Sequence, residues 1–178
     1  MVLIGTLGYH NLKDFSLGPI LFPIMQEMDW PDEVEIDELN WGAVAIVQNF
    51  QARTEPYDRV VILSATPRDR PIGTLTYYHW QGGIPSLESI QDRISEAVTG
   101  VTSLDNLLVI GEYFDIWPTE TLIVDVEPHP EQAGERLTDA LQARIPEVLK
   151  AVEHAALADW SAIKPKEILE GKQFELYP

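Results

Sequence analysis

A small set of residues could bind a metal ion or transfer a proton, and most of them follow predicted β-strands. The chain has four histidines and no cysteine, so a metal site would need imidazole and carboxylate groups. His10 and Asp14 lie in the first loop, and Asp37 and Glu38 follow the second predicted strand. Ligand crevices form at the carboxyl ends of strands in open parallel sheets. These four residues are therefore candidate ligands.

The simpler interpretation is that these side chains are solvated loop residues or helix caps, and we favour it for each of them. No two histidines have the i, i+4 spacing of a zinc-binding helix. The segment Gly5-Thr6-Leu7-Gly8 follows the first strand but lacks the G-x-G-x-x-G spacing of a dinucleotide loop. No P-loop and no G-x-S-x-G motif occurs either, so neither nucleotide binding nor serine hydrolase chemistry is favoured.

Three aromatic residues in the same predicted loops suggest a different kind of site. Tyr9, Phe15 and Trp41 could form the apolar floor of a small-molecule crevice. Packing of the loops against the domain explains the same residues, and we favour that interpretation.

The charge of the chain restricts its partners. It has 178 residues, enough for one domain, with 12 Lys and Arg against 29 Asp and Glu and a net charge of −17. Such a surface repels phosphate backbones and anionic lipids, so we expect neither nucleic-acid nor membrane binding. It either attracts a basic protein partner or serves solubility alone. No apolar run reaches the 18 residues of a membrane-spanning helix, and the first apolar run, Val2-Leu3-Ile4, is too short for the hydrophobic part of a signal sequence. We therefore expect a cytoplasmic location.

Apolar segments of strand and helix periodicity alternate along the chain, which is typical of an α/β domain with a mostly parallel sheet covered on both faces. The segment 59–63 is uniformly apolar, as a central parallel strand should be, whereas 73–79 alternates like an edge strand. Pro23 predicts a kink or late start of the first helix, and Pro146 predicts a bend in the last. The predicted strands are 2–4, 34–36, 59–63, 73–79 and 121–126, and the predicted helices are 17–29, 41–52, 86–98, 104–114 and 133–157.

The composition changes near residue 158, so we predict a domain over 1–158 and a C-terminal extension over 159–178. The extension either docks on its own domain or becomes ordered only on binding a partner. The side chains that could dock are Ile168, Leu169, Phe174 and Leu176.

The order of these segments resembles the hydrogenase maturation proteases, the nickel-recognising endopeptidases that trim the C-terminal extension of the [NiFe]-hydrogenase large subunit. Leu3-Ile4-Gly5, followed by Asp14 and Gly18, resembles their G-x-G-N…G-D-[DE]-x-x-G opening. The resemblance covers about residues 1–157 and implies a three-layer α/β/α sandwich on a mainly parallel five-stranded sheet. The other similar segments are 34–36 with Trp41-Gly42-Ala43, 59–63, 71–75, 124–128 and 137–148.

The chain departs from this family where the family binds metal. The resemblance places the first acidic ligand at Phe15, the aspartate after the third strand at Ser64, and the histidine near Thr99. No histidine occurs between His79 and His129. Phenylalanine cannot coordinate nickel, and serine and threonine are poor ligands for it.

The first hypothesis is a non-catalytic relative of the family, an assembly factor for a hydrogenase-like large subunit with no catalytic residues, metal or cofactor of its own. The second is an active endopeptidase with a rebuilt site, using His10, Asp14 and either Asp37 or Glu38. The third is a small-molecule-binding α/β domain that uses the same crevice.

Overall fold

A computed structural model describes residues 1–97, 102–163 and 167–174 of the protein. The strands are β1 (Val2–Thr6), β2 (Val34–Glu38), β3 (Arg59–Ser64), β4 (Leu75–Trp80), β5 (Glu120–Val126) and β6 (Glu167–Leu169). The helices are α1 (Leu17–Gln26), α2 (Ala43–Ala52), α3 (Leu87–Ala97), α4 (Leu104–Tyr113), α5 (Asp139–Gln142) and α6 (Ile145–Leu157). No helix in these described ranges is long and apolar enough to cross a bilayer.

The six strands form one sheet in the order β2-β1-β3-β5-β4-β6. The pairs β1–β2, β1–β3 and β3–β5 are parallel, β4 runs antiparallel to β5, and β6 is parallel to β4. The predicted α/β class with a mainly parallel sheet is confirmed, but the sheet has six strands rather than the five predicted. The sixth comes from the C-terminal extension.

Side chains of the central strands alternate between two apolar layers, because successive strand residues point to opposite faces of the sheet. Leu3, Val60 and Ile62 belong to the core beneath α2, α3 and α4. Ile4 and Val61 belong to the opposite core, which α1 and α6 cover. This arrangement gives the three-layer sandwich that the segment order predicted.

Three local predictions were wrong. Strand β4 lies inside the sheet, since β6 pairs with it on the side away from β5. The segment predicted as one long helix over 133–157 contains two helices, α5 and α6. Pro146 lies in the first turn of α6, where a backbone N–H has no acceptor within the helix, so proline begins a new helix there. Helix α2 begins at Ala43 rather than residue 41, after Gly42 at φ 99°.

The C-terminal extension docks on the domain through part of the predicted set. Leu169 and Phe174 are buried, whereas Ile168 is half exposed and Leu176 lies outside the described residues. The Phe174 ring stacks on Trp80, with centroids 6.2 Å apart. Gly171 permits the close approach, because a Cβ there would lie 1.9 Å from the carbonyl oxygen of Gly83.

Replacing Phe174 tests how firmly the extension is held. We expect Phe174→Ala to lower the free energy of unfolding by about 3 kcal/mol, because it removes a buried ring. Ile168→Ala, on the neighbouring strand β6, should change it by less than about 1 kcal/mol because its side chain is already half exposed. Urea denaturation followed by tryptophan fluorescence measures both, and equal effects would contradict a docked extension.

Candidate functional site

A pocket of about 500 Å³ opens where the chain leaves β1 and β3. These are neighbouring parallel strands from which the chain leads towards opposite edges of the sheet, from β1 to β2 and from β3 to β4, which makes this the topological switch point where α/β proteins bind ligands. The described residues that line it are Leu7, Gly8, Tyr9, Leu12, Phe15, Ser64, Ala65, Thr66, Pro67, Thr102, Ser103, Leu104, Asp105 and Glu131. We call this cavity the switch-point pocket.

The loop between β1 and α1 forms one wall of the pocket, and close backbone contacts hold it. A Cβ on Gly8 would lie 2.5 Å from the carbonyl oxygen of Phe15, and one on Gly18 would lie 2.4 Å from that of Leu7. Lys13 has φ 44°, an uncommon conformation for a residue with a side chain. Its backbone N–H donates to the carbonyl oxygen of Gly134 at 2.9 Å, which ties the loop to the segment after β5.

Asp14 is fully buried and fastens this loop, so the expectation of a solvated carboxylate was wrong for it. Its Oδ1 accepts the backbone N–H of Thr138 at 2.8 Å. Its Oδ2 accepts the Thr138 hydroxyl at 2.9 Å and the backbone N–H of His129 at 3.0 Å. With three donors from the segment after β5, Asp14 serves as a structural acceptor, which explains why an acidic residue is needed at this point of the loop.

The other three candidate ligands lie at the end of β2. His10 is largely exposed, and its Nε2 lies 3.6 Å from Oε1 of Glu38. The same oxygen accepts the side-chain amide of Asn40 at 2.7 Å. Burial raises the pKa of the Asp37 carboxyl, which accepts the backbone N–H of Glu38. Within the three described ranges, no group of three His, Asp or Glu side chains is arranged to hold a metal ion.

Two of the three positions at which the resemblance places metal ligands line the switch-point pocket. Phe15 and Ser64 are both in its wall, whereas Thr99 lies outside the described residues. Ser64 is buried at the end of β3, and its hydroxyl donates to Oδ1 of Asp125 at 2.6 Å. The hydroxyl is therefore engaged within the protein.

Asp125 is the centre of a buried charged cluster behind the pocket. Its side chain has no exposed surface, and its Oδ2 lies 2.7 Å from Nη2 of Arg70 and 3.5 Å from Nε of Arg68. The backbone N–H of Thr66 donates to Oδ1 at 3.1 Å. Burial raises the pKa of Asp125, whereas the Ser64 hydroxyl and both guanidinium groups lower it. The two arginines supply the positive charge that this buried carboxylate needs, because an unpaired buried charge is strongly destabilising.

The same arginines connect the cluster to the rest of the site. Arg70 Nε donates to Glu127 Oε2 at 2.9 Å, and Arg68 Nη2 lies 2.7 Å from Oδ1 of Asp105 in the first turn of α4. The cluster was not predicted from the sequence. Its one local signal is Asp125 itself, a charged residue inside the otherwise apolar segment 121–126, for which a buried partner is required.

Aromatic side chains contribute to the pocket as the third hypothesis expected, but incompletely. Tyr9 and Phe15 line it, whereas Trp41 is half exposed and does not appear among its described lining residues. Burial raises the pKa of the Tyr9 phenol, and the negative charge of Glu131 adds to this shift. The phenol is therefore neutral at physiological pH and acts as an apolar wall with a hydrogen-bonding group.

The difference between Asp14 and His10 can be measured. We expect Asp14→Ala to lower the free energy of unfolding by about 3 kcal/mol, because three donors, two of them backbone N–H groups, lose a charged acceptor. His10→Ala should change it by less than about 0.5 kcal/mol, since the imidazole is exposed. Thermal and urea unfolding measure both variants. An unchanged stability for Asp14→Ala would reopen its assignment as a ligand.

Comparisons with known proteins agree with this architecture. A scan against protein-family models and a search of the curated proteins give no match. Among solved structures, an endopeptidase from Escherichia coli is 20% identical with a TM-score of 0.63, over 86% of this chain and 90% of that one. The hydrogenase maturating endopeptidase HybD from E. coli is 19% identical with a TM-score of 0.61, over 85% and 88%. The [NiFe] hydrogenase maturation protease HybD from Thermococcus kodakarensis is 19% identical with a TM-score of 0.55, over 87% and 98%. The chain therefore has the fold of the hydrogenase maturation endopeptidases.

Proposed function

We propose that the protein is a non-cleaving relative of the hydrogenase maturation endopeptidases. It binds the C-terminal segment of a hydrogenase-like large subunit in the switch-point pocket and assists assembly of that subunit. The observation that carries the proposal is the state of Ser64. At the position where the resemblance places an aspartate ligand, this chain has a hydroxyl that already donates to the buried Asp125.

Among the described residues, those around the pocket do not form a ligand set for a nickel ion carried by such a substrate. Phe15 places an aromatic ring where the resemblance expects a carboxylate, and Ser64 is a poor ligand for nickel. Asp125, which accepts the Ser64 hydroxyl, is fully buried and paired with Arg68 and Arg70, and Asp105 in the pocket wall is paired with Arg68. The rebuilt site of the second hypothesis has weak support as well, because both oxygens of Asp14 accept hydrogen bonds from the segment after β5.

Binding without cleavage is supported by the shape and charge of the same region. The pocket is large enough for an apolar side chain and its neighbours, and apolar atoms of Leu7, Phe15 and Leu104 line it. The net charge of −17 attracts a partner with basic residues around its apolar anchor. An extended segment of a larger protein provides both features.

Restoring an acid at position 64 tests whether the metal site was replaced by the buried cluster. Ser64→Asp places a second carboxylate beside Asp125, and two adjacent carboxylates cannot both ionise cheaply. We expect Ser64→Asp to be less stable than the isosteric Ser64→Asn by about 2 kcal/mol at pH 7. The repulsion raises the pKa of the folded-state carboxyl above its unfolded value of about 4, so the deficit should shrink as the pH falls through that raised pKa and be largely lost near pH 4.

Urea unfolding at pH 7 and pH 4 measures this difference, and nickel titration by calorimetry accompanies it. We expect no tight nickel binding by either variant. Equal stability of the two variants, or tight binding of nickel by Ser64→Asp, would show that position 64 still accommodates a ligand.

Capture from the organism's own cells tests the proposed partner. The tagged protein should retain a large subunit whose intact mass is the same in strains with and without the gene. Phe15→Lys should abolish capture, because it places a charge against the apolar part of the pocket without restoring the acidic ligand that the resemblance places there. Leu157→Lys is the matched control, since this exposed residue lies at the opposite end of the strands, beside the start of β1 and β3. A large subunit that is longer when the gene is missing would identify a protease instead.

The third hypothesis keeps one supporting observation, the presence of Tyr9 and Phe15 in the wall of a 500 Å³ cavity. A metabolite that binds only the native state must raise the unfolding midpoint. A thermal-shift screen in which one metabolite stabilises the wild type but not Phe15→Lys would favour a small-molecule function over a protein partner.

A further inference from the structure

Phe174, near the end of the C-terminal extension, contacts two arginines from different parts of the chain. Arg93 of α3 donates through Nη2 to the backbone carbonyl oxygen of Phe174. The guanidinium carbon of Arg68, in the segment after β3, lies 5.9 Å from the centroid of the Phe174 ring and 5.4 Å from that of Tyr78. Phe174 and Arg93 are both buried. Water can therefore replace these contacts only if the extension leaves its place on the domain.

Both arginines also hold the first turn of α4, which forms part of the wall of the switch-point pocket. Nη2 of Arg68 lies 2.7 Å from Oδ1 of Asp105, and Asp105 lines the pocket. Nη1 of Arg93 donates to the side-chain oxygen of Asn106, the next residue of the helix. Two connections therefore join Phe174 to this wall, one through Arg68 and one through Arg93.

The last turn of α4 is fastened in a different way. Oε2 of Glu112 accepts the indole N–H of Trp80 at 2.9 Å, and its Oε1 accepts the backbone N–H of Gly83 at 3.2 Å. Trp80 belongs to β4 and Gly83 to the loop that follows it. These bonds come from the domain itself. Loss of the extension would therefore affect the first turn of α4, at the pocket, more than the last.

We propose that the segment 167–174 is a strap that sets the position of the pocket wall at the start of α4. When the strap leaves, Arg68 and Arg93 lose their contacts with Phe174, and the first turn of α4 is less restrained. Occupancy of the pocket and docking of the strap are then coupled, and such coupling is reciprocal. A ligand that needs the ordered wall stabilises the docked strap, and a partner that displaces the strap weakens that ligand. The inference goes beyond the proposed function, since it holds for any occupant of the pocket.

Hydrogen–deuterium exchange of the full-length protein, read by mass spectrometry of its peptides, measures the effect of the strap on the wall. Phe174→Ala should speed exchange over 104–108 by about tenfold or more, and exchange in α1 by less than about twofold, because α1 covers the opposite face of the sheet. Ile168→Ala, on β6 with a half-exposed side chain, is the matched control and should behave like the wild type. Equal acceleration in both segments would indicate general destabilisation and overturn the inference, as would unchanged exchange over 104–108.

The reciprocal effect is measured from the pocket side. Asp105→Asn removes the negative charge that Arg68 contacts, so it should speed exchange over 167–174 by about threefold or more. Asp139→Asn is the matched control, because it removes an exposed acid from the first turn of another helix, α5, and it should leave 167–174 unchanged. Equal exchange over 167–174 in the two variants would show that the strap and the wall are independent. Neither measurement needs a partner, so capture of a large subunit and the strap are tested separately.

Discussion

The buried carboxylate of Asp125 is the constraint around which this site is organised. An ionised group without exposed surface needs hydrogen bonds and an opposite charge, since an unpaired buried charge is strongly destabilising. Ser64, Arg68 and Arg70 meet this need from β3 and the segment that follows it. That segment must therefore fold back over the end of β5. Through Asp105, Arg68 also positions the first turn of α4, so both walls of the pocket beyond β3 depend on this one residue.

The loop before α1 contains a second fully buried carboxylate, that of Asp14. Asp14 is buried as completely as Asp125, but backbone N–H groups and a hydroxyl satisfy it instead of arginines. Asp14 fastens the loop before α1 to the segment that follows β5, and Asp125 fastens the segment after β3 to β5 itself. Carboxylates at the ends of strands are usually considered first as ligands or catalysts. Here their hydrogen-bond partners give both of them a structural role.

The fold alone does not determine the function of this protein. A sheet in this order creates a crevice at the switch point between β1 and β3, and the hydrogenase maturation endopeptidases share that architecture. The chemistry depends on the side chains that line the crevice. In this chain the described lining combines apolar groups such as Phe15 with the Ser64 hydroxyl, which donates to Asp125, and with the acidic side chains of Asp105 and Glu131.

The sequence by itself determined the α/β class, the central strands and most helices, because strand and helix periodicities report directly which face of an element is buried. It also excluded thiolate sites, through the lack of cysteine, and indicated by its charge which partners would be repelled. Only the tertiary structure decided that 167–169 adds a sixth strand and that Asp14 is buried. It alone joined Ser64 to Asp125, 61 residues apart, and Asp14 to Thr138, 124 residues apart. Such pairings leave no local pattern, because a carboxylate has the same sequence signature whether it meets water or a donor brought to it by the fold.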